Sequence, residues 1–204
     1  MSLGRRALLT GVAVGLAMPV LAADPAAAAP IEALNQALIA AMKAGKSAPF
    51  TQRYNGIAAA VDRAFDLAAV LQASVGPRFG SLPPDQQSKL LDVFRKFTCT
   101  SYAANFDSND GEKLVVLPEQ RAVGEDTVVQ TQIVPLRGEA IRIDYVMHKT
   151  AQGWRAIDVL LNGNISQNAV KRSDFRSLVT ATSAQALIDS LQKKVVDLSG
   201  GALS

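Results

Sequence analysis

Three side chains in the second half of the sequence could perform acid–base chemistry: Asp144, Asp158 and Tyr145. Carboxylates and a phenol in the pocket of a cone-shaped α+β fold can transfer a proton next to a carbonyl group. Strand alternation, however, places Asp144 on the face opposite Tyr145. Ion pairs with Arg142 or Arg155 on a polar face are the alternative interpretation of the two carboxylates. A small enzyme acting on an apolar substrate is therefore one hypothesis among several.

Histidine and cysteine each occur once, which disfavours the commonest catalytic and metal-binding sites. His148 is predicted on the polar side of a strand without a ligand partner, so we expect neither a Ser-His-Asp triad nor a zinc site. Cys99 is predicted to be a small buried residue on a helix, and a single thiol forms no internal disulfide. We expect no metal, no cofactor and no enzymatic activity.

The first 29 residues predict export. Arg5 and Arg6 precede an apolar, uncharged run over residues 7–21, and small-residue cleavage motifs follow at 21–23 and 27–29. This order is typical of a secretory signal peptide, and the arginine pair also suits a twin-arginine signal. An uncleaved membrane anchor is the alternative, although a span needs about 20 apolar residues. We predict that residues 1–29, a signal peptide with an Ala/Pro linker, are removed on export from the cytoplasm and that residues 30–204 form one domain.

Charge and composition narrow the class of ligand. The chain carries 21 basic and 18 acidic residues, a net charge of +3, and no basic run interleaved with aromatic residues. Nucleic acid is therefore not an expected partner. Hydrophobic residues make up 49% of the chain and aromatic residues only 5%. This apolar surplus fits an ordinary core or an apolar cavity, because the same residues build both.

Apolar residues at helical spacing dominate the first half of the chain. Ile31, Leu34, Leu38 and Met42 predict a helix that ends near Gly45. Ala/Pro composition predicts a linker over residues 24–30, just before this helix. A short helix or a turn is predicted over residues 50–61. Further helices are predicted over residues 67–75 and 86–106, and two more are predicted near the C-terminus.

The second half changes to a period of two residues. Strands are predicted over residues 114–117, 127–134, 140–149 and 153–161. The breaks between them are short enough for hairpins, which predicts an antiparallel four-stranded meander. Helices, then strands, then helices is an α+β order, with N- and C-terminal helices covering the apolar face of the sheet.

Several motifs resemble the MlaC family of periplasmic lipid-carrying proteins. The first half has Phe-x-x-Arg-Tyr at 50–54 and Leu-Pro-x-Asp-Gln at 82–86, and the second half has Gly-Trp-Arg-x-Ile-Asp-Val at 153–159. The resemblance covers residues 31–194. Val170 and Lys171 depart from it, because the family has Asn-Tyr at these positions. The surrounding segment looks closer to the hopanoid-associated HpnM branch.

The resemblance implies a carrier that shields lipid tails in an apolar cavity between sheet and helices, with the headgroup near solvent. We expect the apolar face of the sheet to form the cavity floor. The predicted lining, chosen by strand alternation and helical spacing, is Ile57, Val61, Phe94, Phe97, Val129, Ile133, Ile143, Tyr145, Met147, Ile157, Val159 and Leu161. For Trp154, Asp158 and Arg172 we expect structural roles, namely packing at a strand start and a charge pair at the sheet edge.

The resemblance also implies partners. A monomer would shuttle a phospholipid or a hopanoid between an inner-membrane ABC transporter with an MCE-type domain and an outer-membrane lipoprotein complex. Two alternatives stay open: the small enzyme described above, and a lipid-free periplasmic adaptor that binds only proteins.

Overall fold

The structure, a computed structural model, describes residues 24–203 and has the predicted α+β class. The first 23 residues of the predicted leader, which spans residues 1–29, lie outside the described residues. The helices are α1 (Pro25–Ala44), α2 (Phe50–Ala64), α3 (Leu67–Val75), α4 (Pro84–Asn105), α5 (Gln167–Phe175) and α6 (Gln185–Ser199), with a 3₁₀-helix at Gly76–Ser81. The strands are β1 (Lys113–Val123), β2 (Asp126–Val134), β3 (Ile141–Thr150), β4 (Gly153–Leu161) and β5 (Ile165–Ser166).

Helix α1 begins at Pro25, so the prediction of a linker over residues 24–30 is wrong. Asp24 caps the helix, because its Oδ1 accepts a hydrogen bond of 2.9 Å from the N–H of Ala26. Proline is tolerated in the first turn, where its missing N–H needs no partner, and alanine is the strongest helix former. Ala27 is fully buried. A segment with the composition of a linker therefore forms the cap and the first turns of a packed helix, which continues through Pro30.

Asp24 also ties the start of α1 to the sheet. Its backbone N–H donates to Oε1 of Gln120 on β1, and Nε2 of Gln120 donates back to the Asp24 carbonyl, each at 3.1 Å. The indole Nε1 of Trp154, at the start of β4, donates to Oδ2 of Asp24 at 3.1 Å. These bonds give Trp154 the structural role expected of it at a strand start.

The sheet is the predicted antiparallel meander, but it has five strands in the order β1-β2-β3-β4-β5 rather than four. The additional strand β5 places Ser166 opposite Leu160 of β4. Asn162 and Gly163 between them have φ angles of 52° and 76°, the left-handed values of a tight turn. The sequence suggests that the chain returns directly to helix here, but this turn first leads it back along β4.

A bulge between β3 and β4 changes which residues face the helices. Tyr145 lies opposite Val159, but beyond the bulge Met147 lies opposite Ala156. A bulge sets two residues of one strand against one of its partner, so the alternation reverses beyond it. Ala156 is therefore fully buried with Met147, and Ile157 has no partner in the ladder. Simple alternation had grouped Ile157 with Val159.

The helices pack in two layers. Helices α1 and α2 pack on each other and contact the sheet, and α5 contacts β4 and α3. Helix α6 packs chiefly on α4, where it buries Leu187, Ile188, Leu191 and Val195. Of the two C-terminal helices, α5 therefore lies against the sheet and α6 forms an outer layer.

Candidate functional site

A cavity of about 420 Å³ lies between α4, α5 and the ends of β3 and β4, with α3 closing one side. Its volume falls within the roughly 300–1,000 Å³ of small-molecule sites. Phe94 and Tyr145 line it and are buried, whereas Leu161 and Val170 line it and are 37% and 43% exposed. The cavity therefore has an apolar interior and an opening on the protein surface.

Half of the predicted lining residues line this cavity. They are Phe94, Phe97, Ile143, Tyr145, Val159 and Leu161. The two from α4 share one helix face, and the four from the sheet share the face that alternation assigns to them. The structure thus brings together the helical and the strand parts of the prediction.

The other six predicted residues lie elsewhere. Four are fully buried in the core: Ile57, Val61, Val129 and Met147. Ile133 borders a void of about 10 Å³ next to α1, and Ile157 lines a separate groove between α3, β4 and α5. Periodicity marks a position that is shielded from water, and it does not distinguish a position packed against neighbours from one that faces empty space.

Four aromatic rings form a connected wall of the cavity, and three of them are absent from the predicted lining. The Phe65 ring centroid lies 6.0 Å from those of Tyr102 and Tyr145, and Tyr102 stacks on Phe106 at 5.9 Å. Such pairs add to the stability gained by burial and hold the rings in defined positions. Tyr102 and Phe106 continue the four-residue spacing from Phe94, which could have revealed them. Phe65 continues the four-residue spacing of Ile57 and Val61, but it lies one residue beyond the end of α2.

The two tyrosines of this wall are poor proton acceptors. Burial raises the pKa of Tyr145 to about 12, and burial also raises the pKa of Tyr102 well above its ordinary value. Both phenols therefore stay protonated near neutral pH. They offer the cavity hydroxyl groups but no base, which weakens the proton-transfer hypothesis.

Asp158 has a structural role at the cavity edge. Its carboxylate accepts hydrogen bonds from Ser166 Oγ at 2.5 Å and from the N–H of Asn168 at 3.1 Å, which fixes the start of α5. The predicted charge pair between Asp158 and Arg172 is wrong. Arg172 instead donates from Nε and Nη2 to the Ala73 carbonyl at 2.9 and 2.6 Å, and so joins α5 to α3.

Asp144 lies on the other face of the sheet, as alternation predicts. Its side chain is fully buried and forms an ion pair with Arg142, with 2.8 Å between Nη2 and Oδ2. The same Nη2 donates to Gln130 Oε1 at 2.8 Å. The ion-pair interpretation of Asp144 is therefore confirmed, and Asp144 does not combine with Asp158 or Tyr145 into an acid–base site.

Charged side chains stand at the opening of the cavity. Lys171 of α5 is half-buried in the lining, and Asp174 and Lys194 are exposed there. The Lys194 ammonium also lies 5.8 Å from the ring centroid of Phe97. Burial lowers the pKa of Lys171, while the carboxylates of Asp158 and Asp174 act in the opposite direction.

The remaining reactive side chains lie outside the cavity lining. His148 is exposed, with Nδ1 2.6 Å from Asp126 Oδ1. Cys99 is buried on α4, as predicted, and burial raises its pKa to about 11. Within residues 24–203, no cluster of histidine, cysteine or acidic residues could hold a metal ion. None of the described helices combines the length and apolarity required to cross a membrane.

Comparison with known proteins gives two findings. The model of the MlaC protein family matches residues 32–193 of the chain. A phospholipid-binding protein from Ralstonia solanacearum, solved in complex with a phospholipid, superposes with a TM-score of 0.71 at 18% sequence identity. The match covers 84% of this chain and 98% of that chain, and at this identity it establishes a shared fold. No curated protein sequence is significantly similar.

Proposed function

Because the chain belongs to the MlaC family, we propose that it is a periplasmic carrier that binds a lipid in the cavity beneath α4. The observation that carries this proposal is a largely apolar cavity of about 420 Å³ with the charged side chains of Asp174 and Lys194 exposed at its opening. The phospholipid held by the R. solanacearum protein of the same fold supports it further. The protein acts by binding and transport, and not by catalysis.

Physical chemistry explains what such a cavity achieves. Each CH₂ group of a lipid tail left in water costs about 0.8 kcal/mol, so a free tail does not cross an aqueous compartment readily. Tails enclosed against Phe94 and Tyr145 are shielded, and a headgroup at the opening near Val170 keeps its contact with water. No covalent step is needed.

The carrier needs a donor and an acceptor. From the family we propose an inner-membrane ABC transporter with an MCE-type domain at one end and an outer-membrane lipoprotein complex at the other, with a monomer moving between them. The cargo is a phospholipid or, by the closer likeness of residues 169–175 to the HpnM branch, a hopanoid.

Export by the leader is the last part of the proposal, and the first turn of α1 favours a cleavage site before Asp24. Cleavage after Ala29 would remove the Asp24 cap, its bonds to Gln120 and Trp154, and the buried Ala27. Cleavage after residue 23 would keep all of them. We therefore propose a mature chain that starts at Asp24, six residues before the start that composition suggests.

Native mass spectrometry of the mature protein, purified without detergent, tests the binding function. We expect one lipid per protein in the wild type and its loss in Ile143→Asp and Tyr145→Glu. Ile141→Asp is the matched control, because Ile141 lies on the same strand, is 51% exposed and is not part of the lining. Normal lipid occupancy in Ile143→Asp, or a wild-type protein that is empty and takes up no lipid from vesicles, would refute the proposal.

A further inference from the structure

Lys171 is an unusual residue for the wall of an apolar cavity. It lies on α5, is half-buried and lines the cavity. Among the described residues, no ion pair or hydrogen bond involves its ammonium group.

None of the charged side chains that share the cavity lining forms an ion pair with Lys171 at contact distance. Asp158 on β4 faces it, but the carboxylate of Asp158 already accepts hydrogen bonds from Ser166 and Asn168. Asp174 on α5 is exposed, and Lys194 on α6 adds a second positive charge to the same lining. Burial therefore disfavours the charged form of Lys171, and Asp158 and Asp174 attract its ammonium group without forming an ion pair at contact distance.

Partial burial of a cation without a partner is unfavourable, and its cost is reduced when an anion binds. Hydrocarbon tails in the cavity cannot supply that anion. The polar end of a bound lipid can, because the exposed part of the lining is where a headgroup would lie. A phosphate group offers several oxygen acceptors and a permanent negative charge to an ammonium donor.

We propose that Lys171 binds the phosphate group of the lipid headgroup and thereby selects phosphate-bearing lipids over neutral lipids with the same tails. This inference rests on the proposed lipid-binding function, names a residue that determines its specificity and, of the two proposed cargoes, favours the phospholipid. Lys194, 5.8 Å from the Phe97 ring centroid, strengthens the positive potential at the same opening.

Competition between two lipids tests this assignment. The mature protein is incubated with vesicles that contain phosphatidylglycerol and diacylglycerol with identical acyl chains in equal amounts, and the lipids carried away by the protein are quantified. We expect the wild type to favour phosphatidylglycerol. In Lys171→Met the ratio of bound phosphatidylglycerol to diacylglycerol should fall about tenfold, because the variant loses one hydrogen bond to a charged group. Lys171→Arg should keep most of the preference.

Two controls separate the possible outcomes. Lys89→Met removes the same charge from an exposed site outside the lining and should behave as the wild type. A wild-type ratio in Lys171→Met, or a wild type without preference, would overturn the assignment and leave the carrier function intact. A wild type that takes up neither lipid would refute the carrier function itself.

Titration with inorganic phosphate distinguishes a headgroup site from a site for free phosphate. We expect phosphate alone to leave the ratio of the two lipids unchanged. Binding of phosphate that depends on Lys171, together with a lipid ratio that does not, would assign Lys171 to the free anion and overturn the headgroup role.

Discussion

Replacing Asp24 by alanine should destabilise the mature protein, although Asp24 stands at the very start of its first helix. The substitution removes two interactions of one carboxylate: the cap on the N–H of Ala26 at 2.9 Å and the bond from Trp154 Nε1 at 3.1 Å. The two bonds to Gln120 use the Asp24 backbone and are kept. The substitution therefore measures the contribution of the Asp24 carboxylate apart from that of the Asp24 backbone.

The expected size follows from these two bonds. Loss of an N-terminal cap costs about 1 kcal/mol. Loss of a hydrogen bond to a charged acceptor costs at least about 1.5 kcal/mol. Together they lower the free energy of unfolding by about 2.5 kcal/mol. For a domain of this size, such a loss lowers the Tm by about 5–10 °C.

A double-mutant cycle isolates the contact with the sheet. Trp154→Phe removes the indole donor and keeps an aromatic ring, so the coupling between Asp24→Ala and Trp154→Phe should be about 1.5 kcal/mol in urea unfolding. Glu139→Ala, at an exposed loop position, controls for the loss of one negative charge. N-terminal sequencing of each exported protein must also establish whether the mature chain starts at residue 24. A mature wild type that starts at Pro30, or an Asp24→Ala variant as stable as the wild type, would refute the reasoning.

Two further predictions concern titration and reactivity. The pKa of Lys171 in the empty protein is lowered by burial, and a bound phosphate would raise it, so binding of phosphatidylglycerol should weaken as the pH rises through that lowered pKa. Asp158, Asp174 and Lys194 share this lining, so Lys171→Met must abolish the pH dependence if Lys171 is its source. Burial raises the pKa of Cys99 to about 11, so a maleimide should label it only after denaturation. Rapid labelling of Cys99 in the native protein, measured by mass spectrometry, would contradict its buried position.

The strands could be predicted well from the sequence wherever the only requirement on a strand is that one of its faces be apolar. In β3, one face had to be apolar, and Ile143, Tyr145 and Met147 do lie on one face. The prediction failed in β4 at a bulge, because no residue type marks where Ile157 leaves the ladder. The two-residue strand β5 escaped prediction because it is too short to have a period.

The cavity could be predicted only in part. A buried apolar residue can either pack against its neighbours or face a cavity, and the sequence does not distinguish the two. Ile57 and Phe94 are both fully buried apolar helix residues, yet only Phe94 lines the cavity. The distinction depends on how α4, α5 and the sheet are spaced, which is a property of the whole fold. Phe65 and Lys171 were missed for other reasons. Phe65 continues the spacing of Ile57 and Val61 but lies beyond residue 61, where that element was predicted to end, and Lys171 is not an apolar residue.

The bonds between the start of α1 and the sheet also constrain the order in which the chain can fold. Asp24 is 96 residues from Gln120 and 130 residues from Trp154 along the sequence. The first helix to be synthesised therefore cannot complete its native contacts until β4, much later in the chain, is available. Contacts of such long range slow folding and leave apolar surface uncovered in the meantime. The fold can therefore be completed only once β4 is present, whichever export route the leader specifies.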